Sequence, residues 1–276
     1  MYAVRNFRPA NITYDVQSFI PERIGGVTTE YSGGGDPRRS LELLWGVRGR
    51  PKRGPKPRLT PEQIVRTAIE LADASGLDAL SMRRIADELG VSPMSIYTYV
   101  PGKAELIDVM VDRAVAELTP PDQDSWRGRL EHIARGNWDL FHRHPWLLQV
   151  TLARPPMGPN MLGKYEYELR AVDGLGLTDL EMDQVVALVT GFAESAARVS
   201  VNAAEAERRS GISDEQWWEA TAPLLETLVD EADYPLGTRV GTAAGQEYNA
   251  AVAPARAFEF GLARILDGVA VLIASR

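Results

Sequence analysis

From Thr60 onward the sequence is punctuated at short intervals by helix starts and stops, and no run of alternating β-branched residues competes with them. Thr60-Pro61-Glu62-Gln63 is a capping box with proline at the first helical position, where its missing N–H goes unmissed. Ile64, Val65, Ala68, Ile69, Leu71 and Ala72 follow at helical spacing up to a stop at Gly76. A second helix is expected over 81–89, with Ser81 as its cap and Ile85, Ala86 and Leu89 on its apolar face. Gly90 suits the left-handed turn that closes it. Ser92-Pro93 opens a third helix reaching about Tyr99, and a longer one over 103–118 ends at Pro120-Pro121. Further helices are expected over 126–142, 145–152, 159–175, 179–208, 214–231 and 255–273; two of these begin with capping boxes, at Thr178 and Ser213. The Gly/Ala/Thr-rich stretch 232–253 reads as a loop. The fold class is all-α.

Charge is distributed unevenly. Of the net −8, residues 1–37 contribute −1, residues 38–113 contribute +3 and residues 114–276 contribute −10. Six cations and no anion fall within 48–58 (Arg48-Gly49-Arg50-Pro51-Lys52-Arg53-Gly54-Pro55-Lys56-Pro57-Arg58), and three prolines bar a helix there. A basic N-terminal part facing a polyanion, with an acidic remainder facing something else, fits this asymmetry. The expected division is an N-terminal extension over 1–47, flexible to about residue 37, with a short helix over 40–46. A basic arm over 48–59, a DNA-binding domain over 60–118 and a larger helical domain over 119–276 follow.

Composition narrows the chemistry. The chain has no cysteine, which removes thiolate nucleophiles and Cys-based zinc sites, and three histidines, at 132, 142 and 144. Neither a Gly-rich phosphate loop nor a serine-nucleophile elbow is present, so no catalytic residues, metal or cofactor are expected. His142 and His144, two apart on a helix, face different ways and make a poor metal pair. No secretory signal and no apolar stretch of spanning length occur, so a cytoplasmic protein without a membrane partner is expected.

Two short helices joined through Gly90-Val91-Ser92, the second opened by a cap and proline, form a helix-turn-helix pattern. The second helix offers Met94, Ser95, Thr98 and Tyr99 to a groove with Ile96 inward, and Arg83 and Lys103 flank it as clamps on phosphate. The run from Leu80 to Leu106, with its Ser-x-Arg-x-Ile-Ala-x-x-Leu-Gly-Val-Ser core, a following tyrosine and a Lys before an acidic residue and Leu, resembles the DNA-binding domain of the TetR family of repressors. The resemblance implies that Arg83, Ser92, Met94 and Ser95 face bases or phosphate, that Tyr97 and Tyr99 contact the backbone, and that Lys103 holds a phosphate. Thr98 stands where tetracycline repressors have Trp, and Pro93 where they have a base-reading Gln, so a different operator is implied.

The second half is similar, more loosely, to the tetracycline-repressor type of C-terminal domain. That implies a homodimer through helices near 179–208 and 255–273 on a palindromic operator, with a small-molecule effector. The chelating His of tetracycline repressors falls at Val150 and its neighbouring Thr at Ala153, and alkyl groups there cannot hold hydrated magnesium. Trp126, Trp138, Phe141, Trp146, Leu147 and Val150 are the candidate lining of an apolar effector pocket, the alternative being that they are core. Arg48-Gly49-Arg50-Pro51 resembles an AT-hook, in which an extended arm enters a narrow A·T minor groove; Lys52 continues its charge. The leading reading is a ligand-responsive repressor, and the alternative an architectural DNA-binding protein without an effector.

Overall fold

A computed structural model describes residues 30–47 and 59–276. Eleven α-helices, two short 3-10 turns and one pair of two-residue strands make up the described residues. The helices are α1 (Pro37–Leu44), α2 (Pro61–Ser75), α3 (Met82–Glu88), α4 (Pro93–Tyr97), α5 (Lys103–Val115), α6 (Trp126–Arg143), α7 (Pro159–Arg170), α8 (Asp179–Ser210), α9 (Asp214–Leu228), α10 (Pro235–Tyr248) and α11 (Pro254–Ala274). The all-α expectation holds.

The N-terminal core forms around α2 to α5. Its start is fixed locally: Gln63 N–H donates to Thr60 Oγ1 at 3.3 Å, and Thr60 N–H donates back to Gln63 Oε1 at 2.9 Å. Ile64, Ala68, Ile85, Ile96, Leu106 and Met110 then close one core with no exposed surface. α5 is buried on nearly every side because α1, α2 and α7 all pack on it. Three acids, Glu105, Asp108 and Asp112, are buried with it, and burial of carboxylates is tolerable only where donors meet them. Each has donors, and Asp112, for one, accepts from Asn160 Nδ2 at 2.8 Å and Met161 N–H at 2.9 Å.

The second core belongs to α6, α8 and α11, where Leu130, Ala134, Val189, Ala193, Leu262 and Leu266 are buried. α8 runs 32 residues, about 48 Å at the α-helical rise. Part of the apolar stripe expected at a dimer interface is spent here: Val185, Val186, Val189, Phe258, Leu262, Leu266 and Val269 are buried within the chain. Leu188 on α8, and Phe260 and Val271 on α11, stay more than half exposed.

Three expectations are corrected. Residues 30–37 are not a flexible tail, because Glu30–Tyr31 (β1) pairs in parallel with Val150–Thr151 (β2) and α1 packs on α5. The helix expected over 145–152 is a 3-10 turn, Pro145–Gln149, that gives way to β2, since Val150 and Thr151 extend to pair with β1. The loop expected over 232–253 contains α10. Gly237, Gly241 and Gly245 recur every four residues; a Cβ at Gly245 would stand 2.4 Å from the Trp218 ring. Packing of α10 against Trp218 on α9 therefore requires one of the residues, Gly245, whose propensity argued against a helix.

Candidate nucleic-acid interface and its coupling to the second core

The reading head is built by caps. Ser81 Oγ accepts from Arg84 N–H at 3.2 Å to start α3, and Met82, Ile85 and Ala86 bury its inner face. Gly90 takes the left-handed conformation (φ 64°), which a side chain disfavours. Val91 N–H donates to Ala86 O at 2.9 Å there, closing α3 and turning the chain into α4. Pro93 opens α4 and Ile96 anchors it with no exposure. Ile96 fixes which face looks outward.

That face carries most of the expected set. Met94 is 73% exposed and Tyr97 45%. Arg83, Ser92 and Thr98 are exposed and Ser95 is half-buried. Ser92 Oγ and Ser95 Oγ lie 3.0 Å apart, and Thr98 Oγ1 donates to Met94 O at 3.1 Å, so three hydroxyls are aligned along one edge. Two residues sit differently. Tyr99 is half-buried and packs against the core. Lys103 is engaged within the chain: its Nζ lies 2.7 Å from Glu30 Oε1. Sequence reasoning had no signal for Glu30, which lies 73 positions away. Arg48, Arg50 and Lys52 lie outside the described residues.

The six aromatic and apolar candidates for an effector pocket do not gather around one cavity. Phe141, Trp146, Leu147 and Val150 are buried in the first core, and Trp126 borders the second. Only Trp138 lines the cleft of about 970 Å3 between α6 and the start of α11, with Tyr248, Phe258, Phe260, Arg135 and Arg256. A column of rings runs behind it. Trp138 stacks on Phe258 with centroids 4.4 Å apart, Phe258 on Phe192 at 5.9 Å, and His142 tilts against Trp138 at 4.5 Å. Its rim is charged and paired, with Arg135 on Glu259 through both carboxylate oxygens and Arg256 lying over the Tyr248 ring. Tyr248 was missed because it falls in the 232–253 region, which the sequence presents as a loop; Phe258 and Phe260 lie on the helix expected over 255–273, whose apolar face was assigned to a dimer interface instead.

A latch centred on buried His144 and Trp146 ties the end of α6 and the 3-10 turn after it to α2 and to Glu117 beyond α5. Trp146, 1% exposed, donates from Nε1 to Asp73 Oδ1 on α2 at 2.8 Å. His144 stands between two carboxylates, with Nδ1 2.8 Å from Asp73 Oδ1 and Nε2 3.2 Å from Glu117 Oε1. Arg143 also pairs with Glu117, and Leu77 N–H donates to Gln149 Oε1 at 3.2 Å. Desolvation pushes the Glu117 carboxyl up, but its hydrogen bonds and charge attraction to Arg143 and His144 outweigh that and hold it below the ordinary carboxylate range. A depressed folded-state value contributes stability that is complete above the unfolded value, about 4.3, and is lost as pH falls through the folded one. The Tm of the wild type is therefore expected to fall below about pH 4 more steeply than that of Glu117→Gln, followed by thermal melts across pH.

Comparison with known proteins supplies the family. Residues 64–110 match the family of bacterial regulatory proteins described as the tetR family, and residues 119–273 match the tetracyclin repressor-like C-terminal domain. The chain belongs to the TetR family. The HTH-type transcriptional repressor DrrR1 of Streptomyces coeruleorubidus is 44% identical over 253 residues, covering 90% of this chain and 91% of that one. Among solved structures, apo ActR of Streptomyces coelicolor superposes with a TM-score of 0.66 at 26% identity, covering 79% of this chain and 98% of that one. ActR in complex with actinorhodin gives 0.63 at 27% identity, with 78% and 98% covered. This TetR-family member is a DNA-binding transcriptional regulator, and α3 and α4 are its helix-turn-helix. Among the described residues, no helix is long and apolar enough to cross a membrane.

Proposed function

We propose that this regulator is a homodimeric repressor that holds a palindromic operator when empty and releases it when a small, largely apolar molecule enters the α6–α11 cleft. One observation carries the reading. Helix α6 lines the cleft through Arg135, Trp138 and Asp139, and its end carries Arg143 and His144 into the latch on the reading head. A molecule wedged between α6 and α11 bears on the helix that holds the head. It therefore binds one head position better than the other, which is the requirement for release. ActR was solved with actinorhodin, and actinorhodin is accordingly the first compound to try here.

The dimer is supported by what the chain leaves uncovered. Leu188 and Val199 on α8 and Phe260 and Val271 on α11 are exposed, and Ala187, Gly191 and Ser195 form a small-residue stripe on α8 that permits close approach of a second copy. A two-fold operator calls for a two-fold reader. Arg83, Ser92, Met94, Ser95, Tyr97 and Thr98 meet base edges and phosphates, and Tyr99 and Lys103 the backbone. The basic arm adds affinity rather than sequence readout: Arg48→Ala with Arg50→Ala is expected to flatten the salt dependence by about two ions per protomer. The role is regulatory rather than catalytic, exercised on cytoplasmic DNA.

The test is selection of fragmented genomic DNA by the full-length protein at physiological salt, followed by addition of actinorhodin to the complex with the recovered duplex. Recovery of a palindrome, and its release by the compound, bears the proposal out. Recovery of diffuse A·T-rich DNA alone overturns it in favour of an architectural role.

A further inference from the structure

The segment 30–47 is held on the body by contacts that are specific and mostly buried. Asp108, 2% exposed, accepts from Ser32 Oγ at 2.8 Å and Gly33 N–H at 2.9 Å on one oxygen, and from Ser40 Oγ at 2.7 Å on the other. Glu105, 7% exposed, accepts from Asp36 N–H at 3.2 Å. Gly35 passes so close that a Cβ there would lie 2.6 Å from the Glu105 carboxylate. At one end Ser32 N–H donates to Thr151 O at 3.2 Å beside the β1–β2 pair; at the other, Trp45 Nε1 donates to Met157 O at 2.9 Å. The segment thus ties α5, next to the reading head, to residues 150–157 just beyond the latch. It also sets Glu30 on Lys103 at the head of α5, with each side chain about one-third exposed.

We propose that the segment 30–47 is a strap whose Glu30 competes with DNA phosphate for Lys103, so that strap docking and operator binding oppose each other. A carboxylate at 2.7 Å takes one of the ammonium's three N–H donors, offsets its charge and repels a phosphate approaching the same group. Glu30 is carried by the strand partner of Val150 and Thr151, so displacement of that turn moves Glu30 relative to Lys103. The competition is reciprocal: whatever tightens the strap weakens DNA binding, and bound DNA loosens the strap by the same factor. This inference rests on Lys103 being a phosphate contact, and the experiment separates the two.

Binding of the selected duplex is measured by fluorescence anisotropy over a salt series for wild type, Glu30→Gln, Lys103→Ala and the double variant. An ion pair this exposed is worth up to about five-fold in an equilibrium. Glu30→Gln is expected to tighten binding by about two- to five-fold per protomer with a steeper salt slope, and to have no effect once Lys103 is alanine. Ser32→Ala with Ser40→Ala, which strips two donors from Asp108, is expected to tighten binding in the same direction. If Lys103→Ala weakens binding while Glu30→Gln changes nothing, Lys103 holds phosphate but the mask is overturned. A tightening by Glu30→Gln that survives in the Lys103→Ala background is mere loss of a negative charge and overturns the mask as well. If Lys103→Ala leaves binding unchanged, the phosphate reading falls, and the inference with it.

Discussion

Arg83→Ala is expected to weaken binding of the selected operator by at least about thirty-fold without lowering Tm. Arg83 lies on the exposed side of α3, while the buried side, with Met82, Ile85 and Ala86, holds the helix in place. Its removal therefore subtracts a DNA contact and leaves the packing intact. A specific contact by arginine is worth about 1–3 kcal/mol, and a two-fold complex loses it twice. At the low end that doubles to about 2 kcal/mol, or roughly thirty-fold. Anisotropy with the specific and a scrambled duplex distinguishes the modes. Loss confined to the specific duplex marks a base contact; equal loss on both, with a shallower salt slope, marks a phosphate contact. Unchanged affinity on both would remove Arg83 from the interface.

The second large effect lies in the latch. Trp146→Ala deletes a ring that is 1% exposed and strips its donor from Asp73. Emptying a site of this size costs about 3–5 kcal/mol, and the surrounding Leu147, Leu148 and Val150 cannot refill it with their backbone fixed in a tight turn and a strand. For a chain of this length that lowers Tm by about 6–20 °C. The conservative variant separates stability from signalling. Trp146→Phe keeps most of the volume but leaves Asp73 to His144 alone, at a cost of about 1 kcal/mol. Its operator affinity is expected to stay close to wild type while release by the effector requires more compound. If Trp146→Phe responds to the effector as the wild type does, the latch holds the structure together but carries no signal.

What was legible beforehand follows the range of the interactions involved. The turn at Gly90, the caps at Thr60, Ser81, Thr178 and Ser213, and the inward Ile96 are set by residues within a few positions of each other, so their spacing is written in the chain. Exposure of Met94 and Tyr97 follows from the same helical period once Ile96 is inside. The strap was not legible, because Asp108 finds Ser32 and Ser40 some seventy positions away and nothing local marks the partnership. The one trace is that Glu105, Asp108 and Asp112 punctuate the otherwise apolar run 104–112 of α5, a pattern that calls for buried donors without saying which. Composition left two places open. Aromatic and apolar content marked Phe141, Trp146, Leu147 and Val150 as pocket or core; all four are buried in the first core, and Trp146 and Val150 also line a cleft between the end of α2 and α8. Glycines hid α10, and one of them, Gly245, is what its close seat beside Trp218 needs.

The strap has a consequence for how the molecule is made. β1 cannot complete its pairing until Val150 and Thr151 exist, and they leave the ribosome 120 residues after Glu30 and Tyr31. At about 5–20 residues per second that is a delay of roughly 6–24 s, by the end of which α2 to α5 are already synthesised and free to pack on one another. A nascent chain would then hold the helix-turn-helix with Lys103 still unguarded, close to the messenger and to any nearby gene. Guarding arrives with Val150, which also completes the first core, while α8 and α11 of the second core are still to come, so birth order alone would let the regulator meet nucleic acid before it is able to sense anything.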